Sequence, residues 1–539
     1  MSAHETARPG PADLPGIGLG QAFSALRPTA PPAGWAARAL REQNQPQGRD
    51  GHPAARRLSV PQTGEPAGTG QEPIGEASGR AGPARREAAS VQVLGEDTRP
   101  DWQIVIALRA TASELITERQ EQWEQEHRHP MTPEDRRLMG RSVITRVVHE
   151  HADELTRSGQ ALWPLALERR YVQAVEDAIF GYGRMQPVFD IPDAENIEIH
   201  GFDSVVAQFG DGRRRELEPV ADSDEELVAA VRFLGENANP PRPFDDAHPT
   251  ITVAVGDRFR LHAIGFGLAD RPSVIIRQHL LTDIGLDQLA AGGLMPREVA
   301  DLLRRAVLAR LSIVISGDQG AGKTTLLRAL VDAIPATERF GTLETDYELL
   351  THLQPRRRNM VALQATIGLG EVVDGRRIGE YTVADLIPEA LRQNLTRLVV
   401  GEVRGDEAGA MLQAMQSGAG ALTTTHSHSA SATMDRLAAR VAAGGVLRLD
   451  EAYRQIAYNI HLLVHVQLLD ESWRGGGRRR FVGEIRALTG AIENGRPVTH
   501  LVYRADRTGA PVVFDPGEEL LAELAPFTDA KPSDERGRS

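Results

Sequence analysis

Residues 317–324 read Gly317-Asp318-Gln319-Gly320-Ala321-Gly322-Lys323-Thr324, which puts three glycines, a lysine and a hydroxyl in one short stretch. Lysine is otherwise almost absent. All but two of the 61 lysine-plus-arginine residues are arginine, and the second lysine, Lys531, lies in a polar tail. Arginine substitutes poorly in a phosphate-cradling loop, where a compact ammonium on a flexible stem must reach the β- and γ-oxygens. A lysine kept at that place implies a nucleoside triphosphate site. The flanks suit it: SIVIS (312–316) reads as a short buried strand and TTLLRALVDAI (324–334) as an amphipathic helix. Backbone N–H groups from Gly320 to Lys323 would form an anion nest at the helix start. Lys323 would neutralise β/γ charge and Thr324 would ligate Mg²⁺. Gly317, Ala321 and Thr325 complete the expected nucleotide-binding set.

Three further stretches carry groups that could act on a γ-phosphate. RLVVGEVRGDEA (397–408) reads as a strand ending in Gly401-Glu402, expected to be the neighbour of the loop's own strand. A carboxylate there could polarise water or hold Mg²⁺. GTLETDYELL (341–350) brings Glu344, Asp346 and Glu348 after another apolar run, in a general-base or water-orienting position. ALTTTHSHS (421–429) ends a further strand with His426 and His428. No carboxylate or cysteine set completes a metal site around them, so a hydrogen bond from His426 to the γ-phosphate is the expected role.

The elements that must position these groups occupy only part of the chain. The 539 residues carry a net charge of −13 and no cysteine, which removes disulfides, zinc ribbons, iron–sulfur clusters and thiol nucleophiles. The acidic balance argues against a general polyanion-binding surface. The first residues lack a signal peptide's charged and apolar regions, and no apolar run reaches the roughly 18–20 residues that span a bilayer. A cytoplasmic protein is expected, one that would meet a membrane only through partners. Residues 1–100 are Pro/Gly-rich and read as a disordered tail, with GLGQAFSAL (18–26) as its one apolar patch. Residues 101–179 read as helical, with Thr132-Pro133 as a helix start. Short β-rich runs over 180–284, interrupted by a helix near 222–237, predict an α+β domain. From 285 to 505 apolar strands alternate with helices, which predicts a parallel α/β sheet. Residues 506–539 turn polar and are expected to fray.

The motifs, in this order and spacing, resemble those of the type II/IV secretion ATPase superfamily, most nearly the CpaF-like tight-adherence (Tad) pilus assembly ATPases. GDQGAGKTT looks like the Walker A loop, TLETDYEL like the acidic box T-x-E-D-x-x-E-L, LVVGEVRGDEA like the atypical Walker B region, and ALTTTHS like the His box. GDRFRLHAIGFG and SVIIRQH resemble segments that supply arginines to the nucleotide, here Arg260 and Arg277, with Arg258 a weaker candidate; ALRQNLTRLVVGE adds Arg392 and Arg404. The likeness covers about residues 175–490. It departs at Glu344-Thr345-Asp346, where the family has adjacent Glu-Asp, and at His262, where relatives commonly carry Asn.

The resemblance implies a RecA-like P-loop ATPase domain behind an α+β N-terminal domain, assembled as a homo-hexamer that hydrolyses ATP with Mg²⁺. Glu344, Glu348, Glu402, His426, Arg260, Arg277 and Arg404 would form the catalytic set, with Thr324 and Glu402 toward the metal. Its partners would be inner-membrane platform proteins of a pilus or secretion system, at the inner face of the membrane. Two other readings compete. A DNA-translocating conjugation ATPase would need a basic channel, against which the acidic charge and the lack of aromatic–basic interleaving count. A nucleotide-switched scaffold would bind without turnover.

Overall fold

The computed structural model describes residues 99–528, apart from 239, 369, 374, 406, 417 and 419. The tail up to residue 98, with its 18–26 patch, and residues 529–539 lie outside the described residues. Two compact units divide at residues 186 and 187.

In the first unit three helices pack together: α1 (Trp102–His127), α2 (Pro133–Arg157) and α3 (Leu165–Phe180). The Thr132 hydroxyl accepts from the Asp135 N–H and Pro133 takes the first turn, as the local sequence predicts. Val105, Ile116, Val143, Val147, Leu167 and Val175 form the interior. One acid is buried beside it, Glu176, with Arg137 at 3.6 Å and Arg141 at 3.5 Å.

The second unit contains two large sheets, besides two two-stranded ribbons within residues 366–381. The smaller has six antiparallel strands in the order β3-β2-β1-β6-β5-β4. They are β1 (Ala194–His200), β2 (Ser204–Phe209), β3 (Arg214–Glu216), β4 (Thr250–Val255), β5 (Phe259–Ile264) and β6 (Ser273–Gln278), with α4 (Asp224–Glu236) between β3 and β4. Strand period fixes what faces where. Phe259, Leu261 and Ala263 of β5 are buried, so Arg260 and His262 point to the other face. Arg260 stands directly opposite Arg277 across the β5–β6 pair. Two like charges in register are unfavourable unless something anionic answers them.

The larger sheet begins after α5 (Leu286–Ala291) and α6 (Arg297–Leu308), with β7 (Ile313–Gly317), α7 (Lys323–Asp332), β8 (Phe340–Glu344) and β9 (Met360–Gln364). It continues through α8 (Val383–Leu391), β10 (Arg397–Val400), α9 (Glu407–Met415), β11 (Gly420–His426), α10 (Ala430–Ala443), α11 (Leu449–Asn459) and β12 (Leu462–Asp470). Last come β13 (Arg478–Glu493), β14 (Arg496–Ala505), β15 (Pro511–Phe514) and α12 (Glu518–Leu524). The nine strands are ordered β15-β14-β13-β12-β7-β11-β10-β8-β9. Every residue of β7 is buried because helices cover both faces. Ile313 and Ile315 belong to the core with α5, α6 and α7, while Val314 belongs to the opposite core with α8, α9, α10 and α11. This gives a mixed α/β fold.

Three expectations need correction. The sheet is parallel only from β12 to β9; β13, β14 and β15 add an antiparallel meander, because short turns join them in place of helical crossovers. β10 is not the neighbour of β7, since β11 lies between them. Nor does the chain fray from residue 506. β15 pairs with β14, and α12 seats Leu520 and Leu524 in the core beside α6. Its polar composition hid two apolar residues one helical turn apart.

Replacing Leu524, fully buried, by alanine should therefore cost about 2–4 kcal/mol of unfolding free energy by denaturant titration. Leu521→Ala, at 43% exposure, should cost less than about 0.5 kcal/mol; equal effects would mean α12 is not docked.

Candidate functional site

The glycine-rich loop leaves β7 at Gly317 and enters α7 at Lys323. Gly317 must be glycine because a Cβ there would stand 2.3 Å from the Val466 carbonyl oxygen of β12. Gly322 caps α7 at φ +96°, a left-handed conformation that glycine takes without strain. Lys323 is only 8% exposed. Its ammonium donates to the Gly317 and Asp318 carbonyls at 3.1 and 2.9 Å. A third partner is His426 Nδ1, at 3.3 Å.

His426 ends β11, the true neighbour of β7, and so occupies the place expected for Glu402. Its Nε2 lies 3.1 Å from Glu402 Oε1. An imidazole accepting at Nδ1 carries its proton at Nε2, and the nearby Glu402 oxygen accepts no hydrogen bond among the described residues, so the contact is one of proximity. Burial and the Lys323 charge lower the His426 pKa, which keeps that neutral tautomer at pH 7. Glu402 in turn accepts from Arg404 at 2.6 Å. Burial alone would raise the Glu402 carboxyl, but Arg404, His426 and Lys323 outweigh it and hold it below the usual range. Burial lowers Lys323 to about 8 despite the Glu402 carboxylate, so its ammonium stays mostly charged at neutrality.

Glu344 has a different environment. It ends β8, next to β10, and is 3% exposed. One carboxylate oxygen accepts from the Glu348 and Leu349 N–H groups at 2.9 and 2.8 Å; the other is buried with no partner among the described residues. Gly401 permits this packing, since a Cβ there would lie 3.1 Å from Glu344 Cγ. Burial pushes the Glu344 pKa up to about 7, against the pull of those two N–H donors.

The loop beyond Glu344 is the anionic answer to the opposed arginines. Arg260 donates to Glu348 at 2.7 Å and to Asp346 at 3.1 Å, and Arg242 lies 3.6 Å from Asp346. The displaced acid of the sequence motif thus joins two arginines, of the smaller sheet and its flanking loop, to the larger sheet. Arg277 makes no ion pair or hydrogen bond among the described residues, and its charge contributes to lowering Lys323. Arg260, Thr324, Glu344, Thr345, Asp346, Glu348, Gly401, Glu402 and Arg404 together line one cleft.

Some expected residues stand elsewhere. Arg392 is exposed at the end of α8, paired with Glu389 at 2.9 Å, and does not line the cleft. Arg258 is exposed. His428 is 92% exposed, 3.3 Å from Asp318, and His262 meets the Thr252 hydroxyl at 2.8 Å. Two arginines went unread. Arg328 on α7, 5% exposed, donates to the Leu281 carbonyl at 3.1 Å and to the Glu348 carbonyl, which fixes the acidic loop against the helix. A charge on the apolar face of that helix was the available signal. Arg480 on β13 donates to the Gly320 carbonyl at 2.7 Å and carried no motif to mark it.

The donor set fits a magnesium nucleotide. A glycine cradle, a buried ammonium, a hydroxyl, and an ionised carboxylate converge, and two buried carboxylate oxygens, one each of Glu344 and Glu402, accept no hydrogen bond among the described residues. Residues 237–472 match the family described as Type II/IV secretion system protein. A Mycobacterium tuberculosis (strain H37Rv) protein described as "Putative conjugal transfer protein" is 32% identical over 343 residues, covering 62% of this chain and 92% of that one. The type IV secretion system protein PtlH of Bordetella pertussis is 38% identical over 138 residues, 25% of this chain and 38% of its own length. The solved VirB11 ATPase of the Brucella suis type IV secretion system is 24% identical and covers 57% of this chain and 96% of that one, with a TM-score of 0.30. At that overlap the strand order above, not the superposition, carries the fold. The chain belongs to the type II/IV secretion system protein family.

Glu344 gives a test of the site's electrostatics. A carboxyl raised to about 7 in the folded state favours folding while protonated, and that advantage disappears as pH rises through 7. Without nucleotide, the melting temperature of Glu344→Gln minus that of the unchanged protein should therefore grow from pH 5 to pH 8. A difference constant with pH would remove the raised pKa.

Proposed function

We propose that this chain is an ATPase motor that hydrolyses ATP to drive pilus assembly or protein secretion through an inner-membrane platform, of the Tad or type II/IV kind. The observation that carries it is the cleft itself, where Thr324 at the end of the glycine-rich loop, two carboxylates of opposite pKa shift and Arg260 from a second sheet converge.

The residues divide the work. Lys323 must exchange its two loop carbonyls for phosphate oxygens, and His426 provides a third, neutral partner during that exchange. Thr324 and Glu402 would hold Mg²⁺, which when bound neutralises charge on the β- and γ-phosphates. Glu402 suits that role because its neighbours keep it ionised and one of its buried oxygens accepts no hydrogen bond among the described residues. Glu344 suits proton acceptance from water: a pKa near neutrality matches the operating pH, and its second oxygen is unengaged. Arg260 is held by Asp346 and Glu348, so contact with phosphate requires it to leave them. That exchange would link nucleotide binding to movement of the six-stranded sheet. A homo-hexamer, closing sites between subunits, is the assembly this reading favours.

A second reading has one observation behind it. The relative that this chain spans almost fully carries a conjugal-transfer description, so coupling to DNA transfer is the alternative. DNA-stimulated turnover would favour it, and the net charge of −13 weighs against it.

Mg-ATP turnover per subunit, followed as protein concentration rises, tests the motor. Turnover should climb steeply as subunits assemble. Lys323→Ala should abolish nucleotide binding, whereas Glu402→Gln should retain binding and lose about 10²-fold or more in kcat. Normal turnover in Lys323→Ala would sink the site assignment. If Glu344 is the base, kcat should rise with pH through about 7 and level above it, and Glu344→Gln should lack that limb. An unchanged pH profile in the variant would pass the role to another group.

A further inference from the structure

Arg480 lies near the start of β13, and one guanidinium joins three segments distant in sequence. Its Nε donates to the Gly320 carbonyl of the phosphate loop at 2.7 Å. Its Nη1 donates to the Gly210 carbonyl just beyond β2 at 3.2 Å. Its Nη2 reaches both oxygens of Glu195, on β1, at 2.9 Å each. The stem runs along the loop, since a Cβ at Gly322 would stand 3.5 Å from Arg480 Cδ. Both side chains are largely shielded, at 23% and 18% exposure, so their attraction is only partly screened.

The Glu195 carboxylate and an incoming phosphate are both anions that a planar guanidinium can bind, and they compete for it. Resting on the phosphate-loop reading, we propose that Arg480 is a nucleotide-positioning residue and Glu195 its built-in competitor. Glu195 neutralises the cation and holds it to the six-stranded sheet. An anion in the loop draws Arg480 the other way and loosens that attachment. Nucleotide affinity and the grip of the sheet on the loop are then two readings of one ion pair, and each must change the other equally. The two partners are therefore expected to act with opposite sign. Loss of the Glu195 charge leaves an unneutralised cation beside the phosphates and strengthens binding. Loss of Arg480 removes the cation and leaves the Glu195 carboxylate repelling them.

Mg-ADP binding to the full-length chain, by titration calorimetry, tests this. Glu195→Gln should tighten the dissociation constant roughly three- to tenfold, and Arg480→Gln should weaken it by a similar factor. The double variant, which lacks the repelling carboxylate as well as the cation, should bind more tightly than Arg480→Gln alone, and Arg480→Lys should recover part of the affinity through charge without the fork. Melting temperatures without nucleotide confirm that each variant is folded. If Glu195→Gln and Arg480→Gln weaken binding alike, the pair merely holds the sheets together and the proposal fails; unchanged affinities in both sink it as well. Absence of Mg-ADP binding in the unchanged protein would instead overturn the phosphate-loop reading beneath it.

Discussion

A buried ammonium sets the terms for this site. Lys323 is nearly withdrawn from water, a state that costs several kcal/mol unless dipoles and charges replace the lost hydration. The replacements are two loop carbonyls, His426 and the more distant Glu402 carboxylate. Each requires its own support. The carbonyls face inward only because glycines permit the loop's backbone turns. His426 reaches Nζ because β11 lies directly beside β7. Glu402 is tied to the same strand through neighbouring backbone: the Val403 N–H donates to the Thr424 carbonyl at 2.8 Å, and the Thr424 hydroxyl donates to the Gly401 carbonyl at 2.9 Å.

The arginines pose the complementary problem. Arg260 and Arg277 face each other across two strands, and a sheet selected for stability alone would avoid that pair. Asp346 and Glu348 offset it on one side, while Arg277 keeps no partner among the described residues. Stability has been given up at a place where an anionic ligand would restore it, which is the usual pattern for strain near function. The acidic loop is itself held from below by Arg328, whose two carbonyl contacts tie α7 to the segment that bears Glu348.

Local chemistry was legible in the sequence, and long-range pairing was not. The strand–glycine loop–helix unit, the strand ends near Glu344 and Glu402, and the place of His426 could be read because each needs only a motif and an adjacent apolar run. Strand order depends on how separate runs pair, so β11 between β7 and β10 could not be read from either strand. The antiparallel meander and α12 escaped for a related reason: their apolar positions are few, and only the core they complete gives them weight. Arg480 lies 160 residues from Gly320, and an arginine in an arginine-rich chain carries no mark of its partner.

The two carboxylates at neighbouring strand ends show how much the surroundings decide. Glu344 and Glu402 have the same side chain, stand at and just beyond the ends of adjacent strands, and line one cleft. Glu402 lies among Arg404, His426 and Lys323, and remains ionised. Glu344 has two backbone N–H groups on one oxygen, nothing on the other, and an acid, Glu348, close by. The cation that pulls the other way, Arg328, donates to the Leu281 and Glu348 carbonyls and not to this carboxylate, so it offsets only part of the desolvation. Opposed shifts in a shared cleft let one carboxylate hold charge while the other exchanges a proton, a division that residue type alone could not have supplied.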